Sequence, residues 1–202
     1  MSLPLRPLLC VLLLGAGASG ARASATDPLW ARYQDPGLSA RERLTALHEV
    51  IHGLRSSDVD SSRALAERMR AEAVVARDTL MIALAERDLG LAAILQRDND
   101  RARLHLERAL ALYLSEGDSA GHRGAGATLS SLGMVHKNAG RMQEAVAAYR
   151  RSMSEHVLAR DEEGTVYALN GLGRVHEIQG AYDSALVYYS AVAEVAARVA
   201  LP

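Results

Sequence analysis

Ser119 stands in Gly117-Asp118-Ser119-Ala120-Gly121, the G-x-S-x-G spacing that exposes a nucleophilic serine in some hydrolases. That chemistry needs a strand-to-helix turn and an oxyanion hole. Here the apolar spacing on both sides is helical, so the segment reads as a linker between two helices. Gly121 and Gly126 echo a phosphate-binding loop, but Ala127 occupies the lysine position and no strand precedes it. Gly121 to Thr128 is therefore expected to be a flexible connector. His136 and His176 fall at equivalent positions of two similar segments, yet two imidazoles without a nearby Cys, Asp or Glu hold zinc poorly. They read as packing residues with a polar edge. His48 and His52 share a helix face but lack the glutamate of a zinc-protease motif. The expectation is no catalytic residue, no metal and no cofactor.

The one cysteine, Cys10, lies in a leader. Arg6 supplies a positive start, Leu8 to Leu14 an apolar run, and Ala21-Arg22-Ala23 or Ala23-Ser24-Ala25 a small-residue cleavage site. The run is short for a membrane span. Residues 1–25 are thus expected to be a cleaved signal peptide and the chain periplasmic or secreted, the alternative being an uncleaved leader that anchors it to the membrane. Leu8-Leu9 before Cys10 argues against lipidation. Without those residues 21 basic side chains face 24 acidic ones, interspersed rather than clustered. Nucleic acid needs a basic footprint that this balance does not provide. With Lys137 the only lysine and no phenylalanine, the composition points to a GC-rich bacterial genome.

Residues 26–38, with Pro28 and Asp35-Pro36-Gly37, read as an irregular lead-in. From Gly37 to Leu201 there is no proline, and the apolar spacing is helical throughout, so the body is all α. It also repeats. Leu132-Gly133, Val135-His136, Gly140, Ala145 and Tyr149 recur 40 residues later as Leu172-Gly173, Val175-His176, Gly180, Ala185 and Tyr189. An earlier copy, Leu89-Gly90, Ala102, Leu106 and Ala109, is offset by 43, and a fainter one with Ala64 and Ala71 by a further 38. The units are 39–78, 80–116, 124–159 and 164–199, and in the first His52 and Arg68 replace the small residue and the aromatic of the others. Gly90, Gly133 and Gly173, with Ala102, Ala145 and Ala185, are expected to let paired helices approach closely, while Leu106, Tyr149 and Tyr189 fill the space toward the next unit.

On these residues the chain resembles the tetratricopeptide repeat (TPR) family over about residues 39 to 199, in a form whose 40-residue period is similar to that of signalling scaffolds. The resemblance implies a right-handed superhelical solenoid of about four helix-turn-helix units that holds a protein or peptide partner, with no small-molecule substrate. It also implies a concave groove lined by first-helix residues: Leu84, Arg87, Leu91 and Ile94; Ala127, Ser130, Met134 and Lys137; Tyr167, Asn170, Arg174 and Glu177. In the last helix the strongly polar residues form one stripe, Ser190, Glu194 and Arg198. Leu186, Val187, Val192, Val195 and Val199 then make an apolar face that needs covering, by a further repeat, a partner or a second copy of the chain. An exported interaction scaffold is the expected role. The alternative is the input segment of a bacterial signalling receptor, similar to a sensor kinase, continued beyond these residues by a membrane span.

Overall fold

A computed structural model describes residues 28–200, with the side chains of 199 and 200 excepted; the expected signal peptide lies outside them. Among the described residues there are helices and turns but no strands. The helices are α1 (Pro28–Gln34), α2 (Ala40–Leu54), α3 (Val59–Ala76), α4 (Thr79–Leu95), α5 (Asn99–Glu116), α6 (Ser119–Asn138), α7 (Met142–Leu158), α8 (Glu162–Ile178) and α9 (Tyr182–Ala200). None of them is long and apolar enough to cross a membrane.

The helix ends are written in short polar signals. Ser39 and Glu42 form the expected capping box at α2. Asp58, Asp78, Asp98, Asp118 and Asp161 each accept the backbone N–H three residues on, capping α3, α4, α5, α6 and α8. Gly140 and Gly180, at φ +75°, close the turns after α6 and α8 in the left-handed region that glycine enters without steric cost. Arg97 takes the same role after α4 at φ 60°.

Consecutive helices pair into four antiparallel hairpins, α2/α3, α4/α5, α6/α7 and α8/α9. The first helices also touch one another, α2 with α4, α4 with α6 and α6 with α8, whereas the second helices do not. Close approach in one layer and separation in the other bends the stack, so the first helices line its inner, concave side.

The small residues act as expected within the hairpins. A Cβ added at Gly90 would lie 2.7 Å from Leu106, at Gly133 2.9 Å from the Tyr149 ring, and at Gly173 2.5 Å from the Tyr189 ring. Each distance is below van der Waals contact, so the hairpin closes only because the side chain is missing. Tyr149 also meets the next unit, since a Cβ on Gly171 would lie 2.4 Å from its ring.

Three expectations are corrected. The lead-in contains α1: Pro28 sits at its first position, where the missing N–H costs no hydrogen bond. Its Tyr33 is buried with Leu44, Leu47 and Ile51, beside Trp30. The stretch Gly121 to Thr128 is no connector but part of α6, which at 20 residues is three longer than α4 and α8. Its glycines clear neighbouring rings: added Cβ atoms would strike Tyr113 from Gly124 and His156 from Gly126.

The first unit, finally, is in a different register. Its buried second-helix positions are Ser62, Ala66, Met69 and Ala73, the same 4-3-4 spacing as Ala102, Leu106, Ala109 and Tyr113, while Ala64 and Ala71 are exposed. The offset to the second unit is therefore 40, not 38. In that register Val50 and Ala66 replace Gly90 and Leu106, and the bulk moves from one helix to its partner with the volume roughly kept. His52 and Arg68 lie outside this pair: His52 is exposed, and Arg68 stacks its guanidinium 5.0 Å from the centre of the Tyr33 ring.

Candidate functional site

The concave side holds a cleft of about 630 Å³ lined mainly by the first helices α4, α6 and α8, with Arg55 from the turn after α2 and His156 from α7. Arg55 follows α2, Arg87 and Leu91 come from α4, Arg123, Ala127, Ser130 and Ser131 from α6, and Glu163, Val166, Tyr167 and Asn170 from α8. Apolar and polar groups alternate along it. Tyr167 presents its ring at 57% exposure, and Leu91, Ala127 and Val166 supply aliphatic surface.

Three arginines line the cleft together with the carboxylates of Asp161 and Glu163, and the arginines are held differently. Arg55 donates to Asp88 at 3.0 Å, and His48 lies 2.7 Å from the other oxygen of the same carboxylate. The Asp88 side chain is fully buried, so this pair of partners satisfies a carboxylate that water cannot reach. Arg123 stands 3.8 Å from Asp161, a loose pair. Arg87 has no ion pair among the described residues, and its Nε is buried without a hydrogen-bond partner. A cation fixed in this way and left unmatched is a natural anchor for a carboxylate or carbonyl.

Between α3, α4 and α5, Glu86 is buried, with Arg70 at 3.2 Å and His105 at 2.7 Å. Burial pushes its carboxyl upward, but the hydrogen bonds from His105 and Arg70 outweigh this and hold it below the usual carboxylate range. Asp78 is held low in the same sense: burial opposes ionisation, and the paired donors of Arg41 with the Met81 N–H prevail. Groups depressed in the fold stabilise it above their unfolded values, near pH 4, and lose that contribution as pH falls through the folded ones. Urea midpoints are accordingly expected to fall between pH 5 and about pH 3, and Glu86→Gln is expected to flatten that fall.

The expected groove residues divide. Arg87, Leu91, Ala127, Ser130, Tyr167 and Asn170 line the cleft. Leu84 packs on the core of the first unit and Ile94 on that between α4, α5 and α6, so both are structural. Glu177 accepts a hydrogen bond from Tyr189 at 2.8 Å and so faces its own hairpin partner. Met134, Lys137 and Arg174 do not line the cleft. Arg55, Arg123, Ser131, Glu163 and Val166 were not legible. The uncertain register of α2 hid Arg55, and the N-terminal turns of α6, taken for loop, hid Arg123.

The other candidates have structural explanations. Ser119 is the first residue of α6, and its Oγ is 3.4 Å from the Ala159 carbonyl, to which it donates. His136 Nδ1 accepts from Arg141 Nε at 3.2 Å, and burial together with that arginine keeps its pKa low. His176 stacks on Tyr188 with ring centres 5.3 Å apart. No cluster of three or more His, Cys, Asp or Glu that could hold a metal occurs among the described residues.

On the last helix Leu186 and Val187 are exposed, Val192 is half-buried and Val195, at 8% exposure, points into the hairpin. The Val199 side chain lies outside the described residues. The uncovered apolar surface is therefore turned about one position from the expected face.

Residues 124–198 match the family model for the tetratricopeptide repeat. No curated protein matches the chain. Among solved structures, BtubC (BKLC) from P. vanneervenii is similar with a TM-score of 0.66 and 14% identity, over 86% of this chain and 71% of that one. The TPR-like repeats of a putative kinesin light chain from Podosopora anserina give 0.58 and 19%, over 80% of this chain and 78% of that one. Identities this low speak for the fold alone. The family match across the last two of four stacked hairpins closed on small residues identifies residues 124–198 as tetratricopeptide repeats, and the fold of the earlier hairpins is that of the same helical solenoid.

Proposed function

We propose that the chain is an exported interaction scaffold whose concave cleft holds an extended segment of a partner protein. TPR arrays mediate protein–protein contacts, and one observation carries the finer reading. One cleft is lined by Arg87 of α4, without an ion pair among the described residues, and by the exposed Tyr167 ring and the Asn170 carboxamide of α8. A cation for a carboxylate, an amide for backbone groups and a ring for an apolar side chain suit a peptide held at several points. The leader supports export, and the exposed side of α9 supplies a second association surface. An input role in a signalling receptor would use the same cleft and adds only an output domain downstream.

The test is capture from a bacterial envelope fraction by the full chain and by Arg87→Ala/Tyr167→Ala. Tyr167 is exposed and Arg87 half-buried without an ion pair among the described residues, so circular dichroism of the double variant should match the wild type. Recovery of the chain without residues 1–25, and of a protein bound by the wild type at least tenfold more than by the double variant, is the expected result. Equal capture by both would defeat the cleft, and recovery only in the cytoplasm with the leader intact would defeat export.

A further inference from the structure

Two side chains lining the cleft carry a charge with no ion pair among the described residues, and they are of opposite sign and come from different units. Arg87, on α4, is flanked in sequence by two acids that are already occupied: Glu86 is held by Arg70 and His105, and Asp88 by His48 and Arg55. The Arg87 side chain is half-buried, and its inner Nε is buried without a hydrogen-bond partner. Burial pushes the Tyr113 phenol up to about 12, and the positive charge of Arg87 opposes that rise, so the guanidinium lies near the buried junction of α4, α5 and α6. The cation is thus held by packing rather than by an acid, and it lines the cleft.

Glu163, in the first turn of α8, is the other unmatched charge, and it is exposed. Arg123 holds the equivalent position of the preceding unit, ten residues before Gly133 as Glu163 is before Gly173. It leans on Asp161 at 3.8 Å, and Asp161 is also 2.9 Å from His156 and accepts from the Gly164 N–H. This end of the cleft therefore sets two carboxylates against one guanidinium. The other end sets two guanidiniums, Arg55 and Arg87, against the one carboxylate of Asp88. The cleft is polar along its length, with an excess positive charge in the earlier units and an excess negative charge in the last.

Between the two ends the lining carries no charge. Ala127 and Tyr167 hold equivalent positions on α6 and α8, the first half-buried and the second an exposed ring. Ser130, equivalent to Arg87, is buried, and its hydroxyl is engaged with that of Ser152 at 2.7 Å.

Charge then decides between occupants. A uniformly acidic segment would be attracted at Arg87 and repelled at Glu163, and a uniformly basic one the reverse. A segment with one charge of each sign satisfies both ends. The repeat gives the spacing. Arg87 and Glu163 are two units apart, about 20 Å for helices packed 8–10 Å apart, and offset by seven positions, about 10 Å, along the helix axes. The diagonal is about 22 Å, which an extended chain covers in about six or seven residues.

We infer that the cleft selects its partner segment by charge polarity, taking an extended stretch with an acidic side chain on Arg87 and a basic one, about six or seven residues away, on Glu163. Apolar side chains between the two pack on Ala127 and Tyr167. This rests on the reading of the cleft as a peptide site and specifies which peptides it takes.

The test is selection of random displayed peptides of about twelve residues, long enough to span both ends, on the full chain, on Arg87→Ala/Tyr167→Ala and on Glu163→Arg. Glu163 is exposed and without an ion pair among the described residues, so Glu163→Arg should keep the circular dichroism of the wild type. If the double variant loses its circular dichroism, Tyr167→Ala alone, at an exposed position, takes its place as the reference. The leader is common to all of these proteins, so differences between them report on the cleft. Peptides enriched on the wild type over the reference are expected to carry an acid and a base at the stated spacing. Made synthetically, they should bind Glu163→Arg at least tenfold more weakly than the wild type, and replacing their basic residue by Glu should reverse that order. Peptides that need Tyr167 but lack the basic residue, or that bind Glu163→Arg as well as the wild type, would overturn the polarity while leaving the cleft as a peptide site. No enrichment of any peptide over the reference would overturn both, in favour of a folded partner or another surface.

Discussion

Tyr149→Ala is expected to destabilise the array by about 3–5 kcal/mol, because this one ring fills two junctions. It lies over Gly133 within its hairpin and over Gly171 of the next, and it is buried in the cluster with Ala145, Leu172 and Val175. Burial also pushes its phenol up to about 12, with Tyr167 contributing in the same sense, so the ring stays uncharged at any working pH. Two adjacent glycines cannot collapse into the vacated space, since they carry no side chains to move. A repeat array is held by interfaces between neighbours, so the damage should concentrate at α8 and α9. Urea unfolding followed by circular dichroism, with hydrogen exchange resolved by helix, should show early loss of protection in α8 and α9 while α2 to α5 keep theirs. Uniform loss along the chain, or a change below about 1 kcal/mol, would refute this account of the junction.

The second large effect is expected at Asp88. Asp88→Ala should cost about 2–4 kcal/mol, in the lower part of the range for a broken buried pair because His48 and Arg55 both retain some contact with water. The consequence reaches the cleft, where Arg55 would lose the carboxylate that holds it at the edge. Asp88→Asn keeps one acceptor and should fall between the two. If the captured partner depends on Arg55, both variants should weaken its binding in the order Asn then Ala, even under conditions where they remain folded. Unchanged stability of Asp88→Ala in urea titration would mean that the buried carboxylate contributes nothing to joining α2 with α4.

Much of the fold was legible because repetition amplifies weak signals. The small residues at 90, 133 and 173 and the bulky ones at 106, 149 and 189 recur at fixed spacing, and the structure pairs them within van der Waals distance. The first unit was misplaced by two residues for an equally physical reason. There Val50 and Ala66 carry the bulk on the opposite helix, so a search for a small residue followed by a large one passes over them. Glycine misled in the other direction at α6. Gly121, Gly124 and Gly126 have the composition of a loop, but each clears a neighbouring atom or ring, and helix propensity yields to that packing.

The cleft shows the same division. The family resemblance implied Arg87, Leu91, Tyr167 and Asn170 as groove residues, but it did not distinguish them from Leu84 and Ile94, which pack on neighbouring cores. By itself, the sequence determined the helical class, the repeat, the hairpin closures and the helix caps, since each depends on residues close together in the chain or related by a constant period. Only the tertiary structure decided which of the cleft's arginines has no ion pair among the described residues, how Asp88 was shared between His48 and Arg55, and which side of α9 no described helix covers. Those depend on contacts between helices whose partners no local spacing specifies, and a rotation of one residue, 100° on a helix, is enough to exchange a buried face for an exposed one.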